Sequence, residues 1–249
     1  MTQLFNTKQI NSGQPSLETW QLQAYEAFAS KMSDKENLFP CIPATQGFHL
    51  NHFRYGFVSD PRKDAAVTEL AVILKKYSET SRSTGNLSSL VVLFETPEAL
   101  RNSFSVTDYE ELFWSLLNQL SDKDEKNWPD HIPVDPSENA WEFCFHEEQY
   151  FVYCGTPAHL NRQSRHGEVF TLAITPRWVL DELNSSPISN EKLKKKIRQR
   201  LADYDTAPAH PELKKYGEED NYEWKQYFLR DDDTSLSKCP FHKLWKDKS

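Results

Sequence analysis

The chain has 249 residues, 38% of them hydrophobic and 27% charged, which is typical of a globular protein with a core that needs no disulfide support. Its formal net charge of −8 argues against nucleic acid as a main partner, because phosphate binding needs clustered lysine and arginine. No stretch approaches the ~20 apolar residues of a membrane helix. The first residues carry no secretory pattern, so we expect a cytoplasmic protein with no membrane partner.

Several common site types are disfavoured by what the sequence lacks. The Walker A pattern, GxGxxG, GxSxG and HExxH are absent, and 7 glycines make a phosphate-cradling loop improbable. The 4 cysteines show no CxxC spacing, which indicates free thiols in a reducing compartment. The absence of CxxCH excludes the usual covalent haem attachment and leaves a dissociable haem open.

The first part of the chain predicts a helix and a strand on either side of a proline-bearing segment. Residues 1–15 are polar and predict a flexible arm ahead of a single domain over 16–249. Apolar residues at helical spacing predict a helix from Ser16, its N-cap, to about residue 33. The prolines of FPCIPATQG at 39–47 predict an irregular segment. The following stretch, 49–60, alternates as a strand does.

The middle of the chain predicts two more helices around a buried strand. Asp60 and Pro61 have the residue types of an N-cap and a first helical position. The run SSLVVLFE at 88–95 predicts a fully buried strand. Thr107 and Glu110 have capping-box spacing in front of a third helix.

The second half of the chain predicts mainly strands and then helices. A loop, three strands and two helices are predicted in this order: loop 121–139, strands 141–146, 149–155 and 169–175, and helices from Pro176 and over 190–203. We expect the first two strands to form a hairpin through His146–Glu148 and an irregular tail with aromatic anchors to follow the last helix. These elements predict an α/β fold, a mixed sheet flanked by helices with the tail packed over it.

Cys41 is the first candidate for chemistry, because FPCIPA places it between Pro40 and Pro43. One interpretation is a small thiol that packs in a core. The other is a metal-binding thiolate, for which the prolines restrict the loop and Phe39 and Ile42 supply an apolar wall. A thiolate that ligates haem iron occupies such a setting. The residues alone leave both interpretations open.

A second candidate is NRQSR, which places Arg162 and Arg165 three residues apart between His159 and His166. This stretch is either a surface loop with ordinary ion pairs or an anion clamp, since arginine donors fit carboxylates in bidentate geometry.

Charged and cysteine-bearing stretches near the C-terminus are weaker candidates. RDDD at 230–233 is either a solvated acidic turn or the counter-charge for a cationic substrate. Cys239 and His242 would need two more zinc ligands, and the C-x-H spacing of the nearest candidates, Cys144 and His146, matches no structural zinc pattern, so a zinc site is disfavoured. The basic run at 191–200 is typical of the solvated face of a helix.

Three of these motifs together resemble the YqcI/YcgG family. They are FPCIPA followed by a strand that carries Arg54, a G-x6-R-x2-R element that begins at Gly155, and the terminal QYFLRDDDTSLSKCPFH. The resemblance extends from about Glu36 to His242. That family includes haem-dependent N-hydroxylases, among them the pre-guanitoxin N-hydroxylase and the arginine hydroxylase of D-cycloserine biosynthesis.

The resemblance implies a haem b protein that oxidises a guanidine or amine nitrogen of a small cationic metabolite. The oxidant would be dioxygen or peroxide, with an electron-donor protein as a further partner; a homodimer is left open. The implied roles are iron ligation by Cys41, haem contacts by Phe39 and Arg54, binding of propionates or a substrate carboxylate by Arg162 and Arg165, proton donation by His159 or His166, and substrate-cation binding by Asp231 or Asp232.

The sequence departs from the family at one place and leaves rival functions open. Where the family often has LHPxSSR, this chain reads TPAHLNR, with Pro157 in place of the histidine and His159 two positions later. A role of that histidine would therefore have moved. The rivals are a haem-binding sensor or carrier without turnover, and an interaction protein in which Cys41 only packs.

Overall fold

The computed structural model describes residues 3–13, 16–185, 187–214 and 219–242. In chain order the elements of these ranges are α1 (Thr7–Asn11), α2 (Thr19–Ser33), α3 (Ile42–His49), β1 (Phe53–Val58), α4 (Asp64–Thr80), β2 (Ser89–Phe94), α5 (Glu98–Ser103), α6 (Val106–Asp122), β3 (Phe143–Phe145), β4 (Glu148–Gly155), β5 (Thr171–Pro176), α7 (Arg177–Asn184), α8 (Pro187–Tyr204) and α9 (Trp224–Tyr227). Residues 1–2 and 14–15 of the predicted arm and residues 215–218 and 243–249 of the predicted tail lie outside the described ranges. Among the described helices, none combines the length and apolarity required to cross a membrane.

The five strands form one mixed sheet in the order β1-β2-β5-β4-β3. β1 and β2 are parallel and are connected through α4, whereas β5, β4 and β3 are joined by antiparallel pairing. The predicted hairpin is confirmed: His146 and Glu147 adopt φ values of 54° and 65° between β3 and β4, as a two-residue type I′ turn requires. The predicted α/β fold with a mixed sheet is therefore confirmed.

One face of the sheet is covered by α4, α6 and the C-terminal segment, residues 219–242. Leu90 and Val92 of β2 point to this face and are fully buried with Leu74 and Leu117 of the two helices. Alternation along the strand sends Val91 to the opposite face. The described part of the predicted tail packs here through aromatic side chains, and the ring centroids of Phe241 and Trp141 are 5.0 Å apart.

The opposite face carries α2, α3 and the beginning of the chain. Tyr55 of β1 meets Tyr25 of α2 edge to face, with ring centroids 5.1 Å apart. Residues 3–13, within the segment predicted as a flexible arm, contain α1. Phe5 exchanges two backbone hydrogen bonds with Tyr55, of 2.9 and 2.8 Å, and Ile10 is buried.

Several predicted helix ends are corrected by the structure. The N-cap of α2 is Glu18, not Ser16, and the N-cap of α4 is Lys63, not Asp60. Asp60 instead accepts hydrogen bonds of 2.9 and 2.6 Å from the Arg62 guanidinium. Pro176 is the N-cap of α7, and α8 begins at Pro187 rather than at residue 190.

Two further expectations for the helices were wrong. The stretch after Cys41 is the helix α3, because Pro43 occupies its second position, where the backbone N–H is not needed for an intrahelical bond. The capping box of α6 is formed by Ser105 and Asp108, not by Thr107 and Glu110. The short helix α5 was not predicted.

Candidate cofactor cavity

A cavity of about 690 Å³ lies against the sheet face that carries α2 and α3. Its floor consists of residues that face this side of the sheet in three rows across the strands: Phe53, Ser89, Thr175 and Phe151; Val91, Ala173 and Tyr153; and Leu93, Thr171 and Gly155. Because paired residues of neighbouring strands share a face, the register alone brings these ten positions together.

The walls of the cavity are mainly apolar. Phe39 and Pro40 precede α3, Ala44 lies in its first turn, and Leu201 and Tyr204 come from α8. The ring centroids of Phe39 and Tyr204 are 5.9 Å apart, so the two segments meet at the wall. A pocket of this size with apolar walls is typical of sites for cofactors and small ligands.

Cys41 lies at the N-cap of α3, half-buried and bordering the cavity. Cys41 also packs against the cluster of buried residues on this side of the sheet, so packing and ligand binding are compatible at this position. Burial raises the pKa of the Cys41 thiol, and the opposing effects of the Ala44 amide and the Arg165 charge are smaller. The thiol is therefore neutral near pH 7 without a ligand, and binding of a metal would favour the thiolate.

Arg162 lines the cavity, but its guanidinium is committed to the protein. Nε donates to the carbonyl of Arg230 at 2.7 Å, Nη1 to that of Pro208 at 2.6 Å, and Nη2 to Oδ1 of Asp233 at 2.8 Å. The side chain is almost fully buried. In this structure Arg162 attaches the C-terminal segment to the loop that follows β4.

Arg165 also lines the cavity and is held by backbone carbonyls. It donates to Tyr227 at 2.8 Å and to Gln226 at 2.9 Å, and its guanidinium carbon lies 4.5 Å from the ring centroid of Tyr153. The local packing also explains why the G-x6-R-x2-R element begins with a glycine, Gly155. A Cβ on Gly155 would lie 3.2 Å from the Arg165 carbonyl oxygen, so the motif lets two backbone segments approach closely.

The two predicted histidines occupy different environments. His159 does not line the cavity; its Nε2 donates to the Leu229 carbonyl at 2.8 Å and its Nδ1 lies 2.8 Å from the Thr156 hydroxyl. Burial lowers the pKa of His159 to about 4, so the ring is neutral near pH 7. His166 does line the cavity, and its Nδ1 donates to the His159 carbonyl at 2.9 Å.

Arg54, Asp231 and Asp232 do not border the cavity. Arg54 donates to the Phe53 carbonyl at 2.8 Å. Asp231 accepts three backbone N–H groups, those of residues 160–162, at 2.7–3.0 Å. Burial raises the pKa of Asp231, but these donors outweigh it and hold the pKa below its usual value. Asp232 accepts from the Thr234 hydroxyl at 2.6 Å, so the acidic run organises a turn.

One residue that the sequence reasoning missed is Lys31 of α2. It lines the cavity, and its Nζ donates to the carbonyls of His166 at 2.6 Å and Gln163 at 2.8 Å. The available signal was its helical spacing from Ala24 and Phe28, which places a lysine on the buried stripe of α2.

The described residues contain no group of three or more His, Cys, Asp or Glu side chains arranged to hold a metal ion. Cys144 and Cys154 are buried in the larger core cluster and do not border the cavity. Cys239 is half-buried against the same cluster. A haem, by contrast, requires as little as one protein ligand, and Cys41 is the described cysteine that borders the cavity.

Comparison with known proteins identifies the family. The profile of the YqcI/YcgG family matches residues 28–242. The chain belongs to the YqcI/YcgG family. This confirms the resemblance drawn from the sequence motifs, and the matched span includes all the predicted site residues.

Three relatives of this chain are informative. "Uncharacterized protein YqcI" of Bacillus subtilis (strain 168) is 47% identical over 98% of this chain and 96% of its own. "Uncharacterized protein YcgG" of the same strain is 49% identical over 93% of this chain and 91% of its own. "Putative N(omega)-hydroxy-L-arginine synthase DcsA" of Streptomyces lavendulae is 32% identical over 96% of this chain and 89% of its own. No solved structure matches the chain.

Proposed function

We propose that this protein is a haem-thiolate monooxygenase that hydroxylates a nitrogen of a small guanidine- or amine-containing metabolite. The observation that carries the proposal is the half-buried thiol of Cys41 beside a mainly apolar cavity of about 690 Å³. N-hydroxylation is supported by the similarity to DcsA, which is named as a putative N(omega)-hydroxy-L-arginine synthase and aligns over 96% of this chain.

The residues at the cavity fit haem b. Phe39, Phe53 and Val91 offer apolar surface to a flat macrocycle, and among the described cysteines Cys41 is the one that borders the space. When bound, the haem would supply oxygen activation at its iron, and a thiolate ligand favours cleavage of the O–O bond. The restricted backbone before α3 would hold the Cys41 sulfur in place.

His166 is the proposed proton donor. Its Nδ1 donates to the His159 carbonyl, so Nε2 is the ring atom that would exchange a proton at the cavity. Oxygen activation requires such a positioned donor. His159, with both ring nitrogens hydrogen-bonded, would position His166 through its backbone rather than transfer a proton itself.

We assign recognition of the substrate cation to the carboxylate of Glu168, which borders the cavity. Asp231 and Asp232 are occupied in their turn, whereas Glu168 lines the cavity and lies 3.9 Å from Nε2 of His166.

With dioxygen as oxidant, one oxygen atom enters the N–H bond to give N–OH and the other leaves as water. Two electrons and two protons are then required, and the electrons would come from an electron-donor protein. Peroxide would need no donor.

The Cys41→Ser variant tests the proposal. We expect purified wild-type protein to show a Soret band, and its ferrous carbonyl complex to have the red-shifted band of a thiolate ligand. Cys41→Ser should lose haem or this band while circular dichroism stays unchanged. Cys239→Ser, a cysteine outside the cavity wall, is the matched control. An unaltered spectrum in Cys41→Ser would reject thiolate ligation by this residue.

Turnover distinguishes the enzyme from the alternative, a haem-binding sensor or carrier. The substrate probe is L-arginine, with dioxygen and a reduced ferredoxin as the electron-donor protein or with hydrogen peroxide, and the product is detected by mass spectrometry as a gain of one oxygen atom. Haem binding without oxidation of L-arginine or of other guanidines and amines would favour the sensor. A protein purified without haem from iron-replete cells would favour an interaction protein.

A further inference from the structure

Lys31 places a positive charge at the wall of the cavity. Its ammonium lies 5.2 Å from the ring centroid of Phe39 and 5.8 Å from that of Tyr204, so aromatic surface shields much of it from water. Burial lowers the pKa of Lys31 to about 8, opposed by the nearby charge of Asp205 and assisted by that of Arg165. The residue is therefore mostly protonated at pH 7, at a free-energy cost that a partner of opposite charge would reduce.

The ammonium has a donor left for a ligand. A lysine carries three N–H donors, and the contacts of the described residues account for two, to the carbonyls of Gln163 and His166. The neighbouring carboxylate of Asp205 accepts from the backbone and hydroxyl of Ser164 at 2.6 and 2.8 Å and makes no ion pair with Lys31. The charge of Lys31 is thus incompletely compensated.

The other cations of the wall are more fully used by the protein. Arg162 donates to three carbonyls and to Asp233. Arg165 donates to three carbonyls, the longest bond being 3.4 Å to Cys154, and stacks on Tyr153. It nevertheless adds positive charge near Lys31. This end of the cavity therefore favours an anion, and Lys31 is the flexible point charge that can reach one.

We propose that Lys31 anchors a carboxylate of the molecule that occupies the cavity. Two sources share this chemistry: a propionate of haem and the carboxylate of an amino-acid substrate. Both of these ligands are expected only if the proposed function is correct. The inference that Lys31 binds an anion does not depend on that function. The site differs from the predicted pair of Arg162 and Arg165, because it assigns the contact to a residue of α2.

The first experiment is independent of haem. Apo protein is titrated with 8-anilinonaphthalene-1-sulfonate, an apolar anion, and with N-phenyl-1-naphthylamine, a neutral probe of similar shape. We expect Lys31→Met to weaken binding of the anion about ten-fold or more, as for loss of a charge-assisted hydrogen bond, and to leave the neutral probe unaffected. Lys31→Arg should retain most of the anion affinity. Lys35→Met, at an exposed lysine outside the cavity, is the control.

This comparison separates the anchor from a structural role of Lys31. Because Lys31 also holds the loop at residues 163–166, Lys31→Met could disturb the cavity as a whole. Such a disturbance would weaken both probes to the same extent and would overturn the proposal. Equal anion binding by wild type and Lys31→Met would overturn it as well.

The second experiment identifies the source of the carboxylate. Selective weakening of haem relative to haem dimethyl ester in Lys31→Met would assign a propionate. Unchanged haem binding, with loss of the spectral response to L-arginine but not to L-argininamide, would assign the substrate. Haem binding by wild type with neither difference would overturn the inference and leave the proposed function standing. Absence of haem binding by wild type would reject the proposed function, and the probe titration would still decide the anion site.

Discussion

Glu142 and Glu223 are buried carboxylates that share the guanidinium of Arg177. Arg177 Nε lies 2.8 Å from Glu142, and one of its terminal nitrogens bonds to Glu223. Burial raises the pKa of Glu223 to about 7; the charge of Arg177 opposes this shift and that of Glu142 adds to it. Burying Arg177 with two ionised glutamates leaves one net negative charge in the core. This costs more free energy than burying Arg177 with one ionised and one protonated glutamate. Glu223 should therefore carry a proton in the folded protein under mildly acidic conditions.

This proton makes stability depend on pH with a definite sign. Between a pKa of 4.5 for the unfolded chain and about 7 for the folded protein, the folded state binds the additional proton. The free energy of unfolding should therefore fall as pH rises through this window, by up to a few kcal/mol. Glu223→Gln should remove this contribution, so the free energy of unfolding of the variant should increase relative to that of wild type from pH 5 to pH 8. Urea denaturation at both pH values measures the difference.

The control for that measurement is Glu111→Gln, on the exposed side of α6, which should follow wild type at both pH values. A stability difference between Glu223→Gln and wild type that is the same at pH 5 and pH 8 would contradict the assignment of the proton to Glu223.

Among the elements, α6 allows a direct test of whether Ser105 or Thr107 caps the N-terminus of the helix. Asp108 accepts from the Ser105 amide at 2.8 Å, and the Asp108 amide donates to the Ser105 hydroxyl at 3.2 Å. We expect Ser105→Ala to lower the free energy of unfolding by about 1 kcal/mol. Thr107→Ala, at the position that spacing predicted, should change it much less. Thermal denaturation of both variants decides the matter; a larger loss in Thr107→Ala would reject the Ser105 cap.

The elements were predictable where local pattern decides them. The buried run of β2 and the stripe of α6 are set by apolar residues alone, and both were predicted within two residues of their ends. α3 was missed because its prolines suggested an irregular loop, although proline is tolerated in the first turn of a helix. Competing caps such as Ser105 and Thr107 cannot be separated by residue type, since the backbone approach decides between them.

At the scale of the whole molecule, the site depends on contacts between distant parts of the chain. Cys41, Arg162, Arg165 and His166 converge on one cavity, and their motifs could be found in the sequence. Lys31 could not be assigned in this way, since its partners Gln163 and His166 lie 132 and 135 residues away. Nor could the sequence show that Arg162 is occupied by the C-terminal segment, because that depends on where the chain returns after α8.

The sheet separates the candidate cavity on one face from most of the hydrophobic core on the other, and substitutions should report this separation. Ala173 lies in the middle of the cavity floor between Val91 and Tyr153. Ala173→Phe should fill the cavity and weaken binding of haem at least ten-fold, with a small change in the free energy of unfolding. Leu117→Ala, in the core on the opposite face, should instead lower that free energy by about 2–5 kcal/mol. Its haem affinity per folded molecule should stay unchanged. Denaturant unfolding and haem titration of both variants measure the two effects, and equal loss of haem affinity in both would show that the faces are coupled.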